Sequence, residues 1–163
     1  MADTQLFRKV MGKFTTGITV VTVTQKNGGV KGMTANSFAS VSLDPMQVLV
    51  CVDYRAQTLE LMRTNDRFGI CVLAEHQRPV SEYFTRFDQD PEAARRLDIR
   101  FRLSGRGTPF LEDCLATIEC RKIGAYPGGD HTIFIGEVES MSAIDGLPLL
   151  FYSGRYHRLG GEA

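Results

Sequence analysis

The alternation of apolar and polar positions divides the chain into short extended segments separated by turn residues. Ile18–Thr24 alternates in this way and predicts a strand, and Asn27-Gly28-Gly29 is a strong hairpin signal that returns the chain along Val30–Met33. Gln47–Asp53 is nearly continuous in apolar residues, which predicts a strand buried on both faces. The remaining strand candidates share this apolar character: Arg67–Leu73, Cys114–Ala125, Thr132–Ser140, Leu149–Tyr152 and Arg155–Arg158.

The predicted helices are few and short. Gln5–Met11 places its apolar side chains at helical spacing, with Thr4 or Asp3 as the N-cap. Ile99–Leu111 contains two glycines and a proline, and this composition predicts an irregular excursion. The other helical segments are Thr58–Arg63, a segment before Phe84 that carries Pro79 in its first turn, and Pro91–Leu97.

These elements predict a β-rich α+β fold. The chain has 163 residues, which favours a single domain spanning residues 1–163. The pattern contains about seven strands, and closing them into an antiparallel barrel would remove the exposed edges of an open sheet. A barrel with short peripheral helices is therefore the expected architecture.

Charge and cysteine placement exclude several classes of protein. Nineteen basic residues balance nineteen acidic ones, so nucleic acid is not an expected partner, and the mixed charges of Glu82–Arg106 predict a solvated helical region. The four cysteines form no C-x-x-C pair, which favours buried free thiols over disulfides or zinc ligands. The sequence has no eighteen-residue apolar stretch and no signal-peptide pattern at Met1, so we expect a cytoplasmic protein without a membrane partner.

The common catalytic motifs are absent from the sequence. There is no G-x-G-x-x-G after a strand, no P-loop and no G-x-S-x-G elbow. His76, His131 and His157 have none of the spacings typical of metal ligands, so no metal is expected. A nucleotide-binding Rossmann fold, a hydrolase and a metalloenzyme are all unsupported.

Three segments carry possible binding chemistry, and the first is Gly32–Phe38. Its side chains are small or polar where a plain strand would carry bulky apolar ones. Such a segment between two strands lets a planar ligand approach the backbone and offers Thr34, Asn36 and Ser37 as hydrogen-bonding groups. The alternative is an ordinary loop between strands.

The second segment is Asp53–Thr58, at a predicted junction between a strand and a helix. A helix N-terminus favours a phosphate, to which Arg55 could add a charge-assisted bond and Thr58 a hydroxyl. The alternative makes Thr58 a plain N-cap and Arg55 a surface charge. The sequence of this segment does not decide between the two.

The third segment is Gly128–Thr132, which contains His131 beside two glycines. An imidazole at the mouth of a barrel can stack on a flat ring or donate a hydrogen bond to it. The alternative is a histidine next to a turn with no function.

The order of five segments closely resembles one family. They are Phe14-Thr15-Thr16-Gly17, Gly32–Phe38, Ser40–Pro45, Asp53–Thr58 and Gly129–Thr132. In this order they resemble the short flavin reductases that serve as the small component of two-component monooxygenases. The resemblance covers nearly the whole chain, from about Phe7 to Arg158.

The resemblance implies a fold and an activity. The fold would be the FMN-binding split β-barrel, antiparallel and Greek-key-like, in a homodimer with flavin near the subunit interface. The activity would be an NAD(P)H-dependent flavin reductase with NADH preferred, which reduces FMN or FAD and supplies a partner monooxygenase. FMN and FAD both remain open. The alternative is a non-catalytic flavin- or haem-binding protein on the same barrel.

The resemblance also implies site residues. No side chain is expected to act as a catalytic acid, base or nucleophile, because hydride passes directly between two cofactors. The isoalloxazine would be lined by Met33, Thr34, Ala35, Asn36 and Ser37, and the ribityl side by Ser40 and Val41. The ribityl phosphate would lie along Asp53, Arg55, Ala56 and Thr58. The nicotinamide would contact His131, with Thr16 and Tyr152 near the same pocket.

Overall fold

A computed structural model describes residues 3–160 of the chain. The helices are α1 (Thr4–Met11), α2 (Leu59–Thr64), α3 (Arg78–Phe84) and α4 (Pro91–Arg96), with one 3-10 turn at Glu75–Gln77. The strands are β1 (Thr16–Gly17), β2 (Thr19–Thr24), β3 (Val30–Ala35), β4 (Phe38–Leu43), β5 (Met46–Asp53), β6 (Arg67–Val72), β7 (Phe101–Leu103), β8 (Pro109–Leu111), β9 (Ala116–Gly128), β10 (His131–Ala143), β11 (Leu150–Tyr152) and β12 (Arg155–His157).

A seven-stranded antiparallel sheet forms the body of the molecule. Its strand order is β3-β2-β6-β9-β10-β5-β4. The longest strands, β9 and β10, form a hairpin whose tight turn needs a left-handed residue, and Gly129 supplies it with φ of +72°. This confirms that the structure is β-rich and antiparallel with short helices.

The outer strands β3 and β4 of this sheet do not pair with each other in the described residues. Asn36 and Ser37 connect them through a corner, and two small sheets, β1-β11-β12 and β7-β8, lie apart from the main sheet. The seven-stranded sheet is therefore not closed by hydrogen bonds between its outer strands.

The core consists of two apolar clusters. One joins α2 to the sheet through Leu59 and Met62, which pack with Phe68 and Phe134. The other joins α3 to the β8 strand and includes Phe84 and Phe110. Because α2 and α3 cover different parts of the sheet, each helix fixes the position of the loop beside it.

Several local predictions are confirmed at the level of individual residues. Asp3 is the N-cap of α1, and its Oδ1 accepts from the backbone N–H of Gln5 at 2.9 Å. Pro79 lies in the first turn of α3, where its missing N–H has no cost. The four cysteines are free thiols, and burial raises the pKa of Cys120 to about 12.

Other predictions were wrong. The Ile99–Leu111 excursion contains the β7-β8 hairpin, and the sequence pattern also missed β1 and β4. Strand β4 contains only small residues between Phe38 and Val41, which leaves its apolar alternation short. Strand β5 is not buried on both faces, because only every second residue, such as Val50, points into the core. For the same reason Cys51 is half-buried rather than buried.

A buried carboxylate ties the β7-β8 connection to the main sheet. Glu119 is 1% exposed, and its Oε1 accepts from Ser104 Oγ at 2.7 Å and Thr108 Oγ1 at 2.6 Å. Its Oε2 accepts from Ser140 Oγ at 2.9 Å and lies 3.6 Å from Arg106 Nη1. Burial alone would raise the pKa of Glu119, but these hydroxyl groups outweigh it and lower the pKa. These five residues are called the Glu119 cluster below.

No helix within residues 3–160 is both long enough and apolar enough to span a membrane.

Candidate cofactor cavity

A cavity of about 310 Å³ opens between β3, the segment joining β5 to α2, and the loop after α3. This volume is within the range of small-ligand sites. The residues that line it are Gly32, Met33, Thr34, Asp53, Arg55, Ala56, Gln57, Thr58, Phe84, Thr85, Arg86, Phe87 and Gln89. Three segments that are distant in sequence thus meet at one place.

The wall formed by β3 and α3 depends on Gly32. A Cβ at this position would lie 2.8 Å from a ring carbon of Phe84, so glycine allows the helix to pack directly on the strand. Thr34 Oγ1 donates to the backbone oxygen of Ser81 at 2.6 Å and fastens the same contact. The small residues of this segment therefore serve helix packing in part, in addition to any approach of a ligand.

Asp53 and Arg55 face the cavity as an ion pair. Arg55 Nη2 lies 2.6 Å from Asp53 Oδ2, and the Arg55 backbone N–H donates to Asp53 Oδ1 at 2.8 Å. The Arg55 side chain is 80% exposed. These bonds to Arg55 lower the pKa of Asp53, so the carboxylate is ionised and offsets most of the charge of its partner.

Thr58 lines the cavity with a hydroxyl that has no partner. The residue is 1% exposed, its backbone is helical, and its side chain makes no capping hydrogen bond. Thr58 is the N-cap residue of α2, but its side chain does not cap the helix. A buried hydroxyl without a partner costs free energy, which a ligand group could recover by bonding to it. In the described part of the chain, only Thr16 has another buried side-chain oxygen of this kind.

His131 lies beside the cavity at the start of β10. It pairs across the sheet with Asp53, and its Nδ1 is 2.6 Å from Asp130 Oδ1. The imidazole is half-exposed, with its Nδ1 occupied by Asp130. Its Nε2 is thereby the nitrogen that can contact a bound molecule near the rim.

Six of the eleven predicted flavin contacts line this cavity, namely Met33, Thr34, Asp53, Arg55, Ala56 and Thr58. The other five are Ala35, Asn36, Ser37, Ser40 and Val41, and they lie outside it. Ala35 is buried in the core, and Ser37 Oγ donates to the backbone oxygen of Cys51 at 2.9 Å. Asn36 is exposed at the corner, and Ser40 and Val41 are exposed on β4.

Thr16 and Tyr152 also lie apart from the cavity. Thr16 pairs with Phe151 in the three-stranded sheet, which places Tyr152 close to it on the neighbouring strand. Tyr152 Oη accepts from Lys13 Nζ at 3.4 Å. The structure therefore brings Thr16 and Tyr152 near each other but not to the walls formed by Asp53 and Thr58.

The loop after α3 supplies residues that the sequence interpretation missed. Thr85, Arg86 and Phe87 line the cavity, although the mixed charges of this region had predicted only a solvated surface. Gln89 holds the loop in place, since its Nε2 donates to the backbone oxygen of Gly32 at 2.7 Å. The only local signal in the sequence was an aromatic residue, Phe87, next to an arginine between two short predicted helices.

These features fit a ligand that carries both a flat apolar part and a phosphate. The lining of the cavity includes aromatic and methionine side chains, two arginines, and Thr58, whose hydroxyl has no partner. A phosphate oxygen is a strong acceptor for hydroxyl and guanidinium donors. A flavin mononucleotide unit has both parts.

Comparison with known proteins agrees with this chemistry. Residues 11–160 match the family described as flavin reductase like domain. The chain is 40% identical over 154 residues to an NADH-dependent flavin reductase from a Rhodococcus species, covering 93% of this chain and 84% of that protein. It is 38% identical to HsaB of Mycobacterium tuberculosis, the reductase subunit of a flavin-dependent monooxygenase, covering 94% and 81%.

The fold also matches solved structures. The NADH:FAD oxidoreductase SgcE6 of Streptomyces globisporus, in complex with NAD and FAD fragments, superposes with a TM-score of 0.88 at 36% identity. The match covers 99% of this chain and 95% of that one. The chain belongs to the flavin reductase like family, which confirms the resemblance drawn from its sequence.

Proposed function

We propose that this protein is an NADH-dependent flavin reductase that reduces FMN or FAD and supplies the reduced flavin to a partner oxygenase. Its family membership and the names of its relatives support this activity. The structural observation that carries the proposal is the cavity in which the buried hydroxyl of Thr58 lacks a partner. A cavity of this kind suits a ligand with a phosphate.

The proposed flavin contacts divide between two walls. Met33 and Thr34, with Ala35, Asn36 and Ser37 at the adjoining corner, hold the ring, and Ser40 and Val41 continue along the ribityl chain. The phosphate would lie along the segment that contains Asp53, Arg55, Ala56 and Thr58.

The nicotinamide would contact His131, with Thr16 and Tyr152 near the same pocket. When bound, the flavin supplies the hydride acceptor and the reduced nicotinamide the hydride, so both reacting atoms belong to cofactors. The protein's task is to hold two flat rings in contact and to exclude water between them.

The same proposal includes a closed split barrel in a cytoplasmic homodimer. The dimer is supported by helix α1, which buries none of its residues within this chain. It presents Leu6, Phe7 and Val10 to solvent. A group of exposed apolar side chains on one helix is typical of a surface that contacts another protein. The measurement is the molar mass in solution by light scattering, and a monomer at micromolar concentration would contradict the dimer.

The activity is tested by mixing the purified protein with NADH and an excess of FMN or FAD. We expect the nicotinamide absorbance to fall with either or both flavins. A protein that binds flavin but oxidises no NADH would instead be the non-catalytic binder of the same fold.

His131→Ala tests the role of the imidazole at the rim. The variant should raise KM for NADH more than KM for flavin, because His131 is assigned to the nicotinamide side. Asp130→Asn is a milder companion variant, since it weakens the bond to Nδ1 without removing the ring. Equal changes in both KM values would contradict the assignment of His131.

A further inference from the structure

The charges around the cavity are not balanced. Its lining contains one carboxylate, Asp53, and two guanidinium groups, Arg55 and Arg86. Arg55 is already paired with Asp53 through bonds of 2.6 and 3.0 Å. Arg86 has no carboxylate within ion-pair distance among residues 3–160. The surplus positive charge of the cavity is therefore that of Arg86.

The loop that carries Arg86 is held in a defined position over the cavity. The backbone N–H of Arg86 donates to the oxygen of Tyr83 at 3.2 Å, which continues the end of α3. Three residues later, Gln89 Nε2 donates to the oxygen of Gly32 at 2.7 Å and fastens the loop to β3. Arg86 is thus located between two anchors, on the wall opposite Arg55 and Thr58.

We propose that Arg86 is the residue that neutralises the phosphate of the bound flavin and so determines preference for phosphorylated flavins, an inference that rests on the proposed function. Arg55 keeps its bond to Asp53 and orients the segment between β5 and α2. Thr58 donates its unpartnered hydroxyl to the same phosphate. This reverses the expectation from the sequence, in which Arg55 was the charged phosphate contact.

The electrostatic reason is the state of each arginine before the ligand arrives. For Arg55 to bond a phosphate fully, it must release Asp53, whose carboxylate would then repel the phosphate. When the phosphate binds, Arg86 loses only the water that hydrates it. A charge-assisted bond to a group that starts without a partner therefore contributes more to binding than one that must first be broken.

The experiment compares dissociation constants for FMN, FAD and riboflavin by the quenching of flavin fluorescence. Riboflavin has the same ring and ribityl chain without the phosphate. Arg86→Gln should raise the dissociation constant for FMN by about tenfold and leave that for riboflavin within about twofold. Arg86→Lys should recover a large part of the FMN affinity.

Arg95→Gln is the matched control, since Arg95 is an exposed arginine on α4 that does not line the cavity. It should leave all three dissociation constants unchanged. An Arg86→Gln protein with the wild-type ratio of FMN to riboflavin affinity overturns the inference while the proposed function stands.

Two further outcomes also decide the question. A rise in KM for NADH with no change in that ratio would assign Arg86 to a phosphate of the nicotinamide nucleotide and overturn the inference. A wild-type protein that binds none of the three flavins would overturn the inference and the proposed function together. Loss of FAD binding in parallel with FMN would support a contact to the phosphate that both flavins share.

Discussion

Two polar regions of this molecule differ in whether their buried polar groups have hydrogen-bond partners. In the Glu119 cluster both carboxylate oxygens are bonded, and three hydroxyl groups donate to a side chain that is 1% exposed. In the cavity Thr58 is equally buried, yet its hydroxyl has no partner. Both residues are 1% exposed, so the difference is not one of depth.

The difference indicates what each region is for. A polar group that holds the fold together must be satisfied in the free protein, because an unsatisfied one costs stability. A group that binds a ligand retains bonding capacity until the ligand arrives. The Glu119 cluster is therefore structural, whereas the Thr58 hydroxyl of the cavity is available for binding.

The largest expected effect is on stability, from Glu119→Ala. The substitution leaves three hydroxyl groups without their acceptor, so the free energy of unfolding should fall by roughly 3 kcal/mol. Urea unfolding measures it. Glu60→Ala, at an exposed ion pair with Arg63, should cost less than about 0.5 kcal/mol. Below the unfolding transition, Glu119→Ala should bind FMN as the wild type does, and a parallel loss of affinity would contradict the separation of the two regions.

Gly32→Ala should have the next largest effect. Its Cβ would lie 2.8 Å from Phe84, so α3 must move or strain, at a cost of about 2 kcal/mol. Flavin affinity should fall as well, since Gln89 is bonded to the backbone of Gly32. Gly105→Ala is the control, because a Cβ there has no neighbour within 4 Å. Equal stability of the two variants would show that glycine is not needed for this helix contact.

The same substitution of threonine by valine should lower stability in the Glu119 cluster but not in the cavity. Thr58→Val removes a hydroxyl that has no partner, so the free energy of unfolding should stay the same or rise by up to about 1 kcal/mol. FMN affinity should fall by about 1 kcal/mol. Thr108→Val removes a bond of 2.6 Å to Glu119 and should lose stability without losing FMN affinity. Calorimetric unfolding and fluorescence titration test the pair, and loss of stability in Thr58→Val would mean that its hydroxyl is bonded in the free protein.

The smallest effect is the dependence of the Glu119 cluster on pH. The pKa of Glu119 is lower in the folded protein than its ordinary value of 4.5, so the folded state binds fewer protons than the unfolded chain. The stabilisation is therefore complete above about pH 4.5 and declines as the pH falls through the folded pKa. The stability difference between wild type and Glu119→Ala should narrow in acid. A difference that is constant from about pH 7 to about pH 3 would contradict an ionised cluster.

Local features of this fold could be predicted well because neighbouring residues produce them. Asp3 caps α1, Gly129 turns the β9-β10 hairpin, and Pro79 begins α3 without reference to distant parts of the chain. Strand β4 was missed because serine and alanine carry little apolar signal, and its pairing with β5 supplies the order that its own sequence lacks.

The candidate site was predictable only in part. Asp53, Arg55 and Thr58 were identified because they lie between a strand and a helix. The hydrogen-bonding states of these side chains could not be predicted. The pairing of Arg55 and the absence of a partner for Thr58 are properties of the packed molecule. Arg86 was overlooked because a charged loop has the same sequence character whether it faces solvent or a cavity.

The sequence by itself therefore determined the β-rich class, the family and the main strand-to-helix junction, because these depend on alternation, turn residues and motif order along the chain. Only the tertiary structure decided which polar groups are satisfied and which are available. Gly32 and Gln89 are 57 positions apart, yet their contact closes the wall of the cavity and brings Arg86 to it. Contacts of this kind form when the core packs, and no local pattern encodes them.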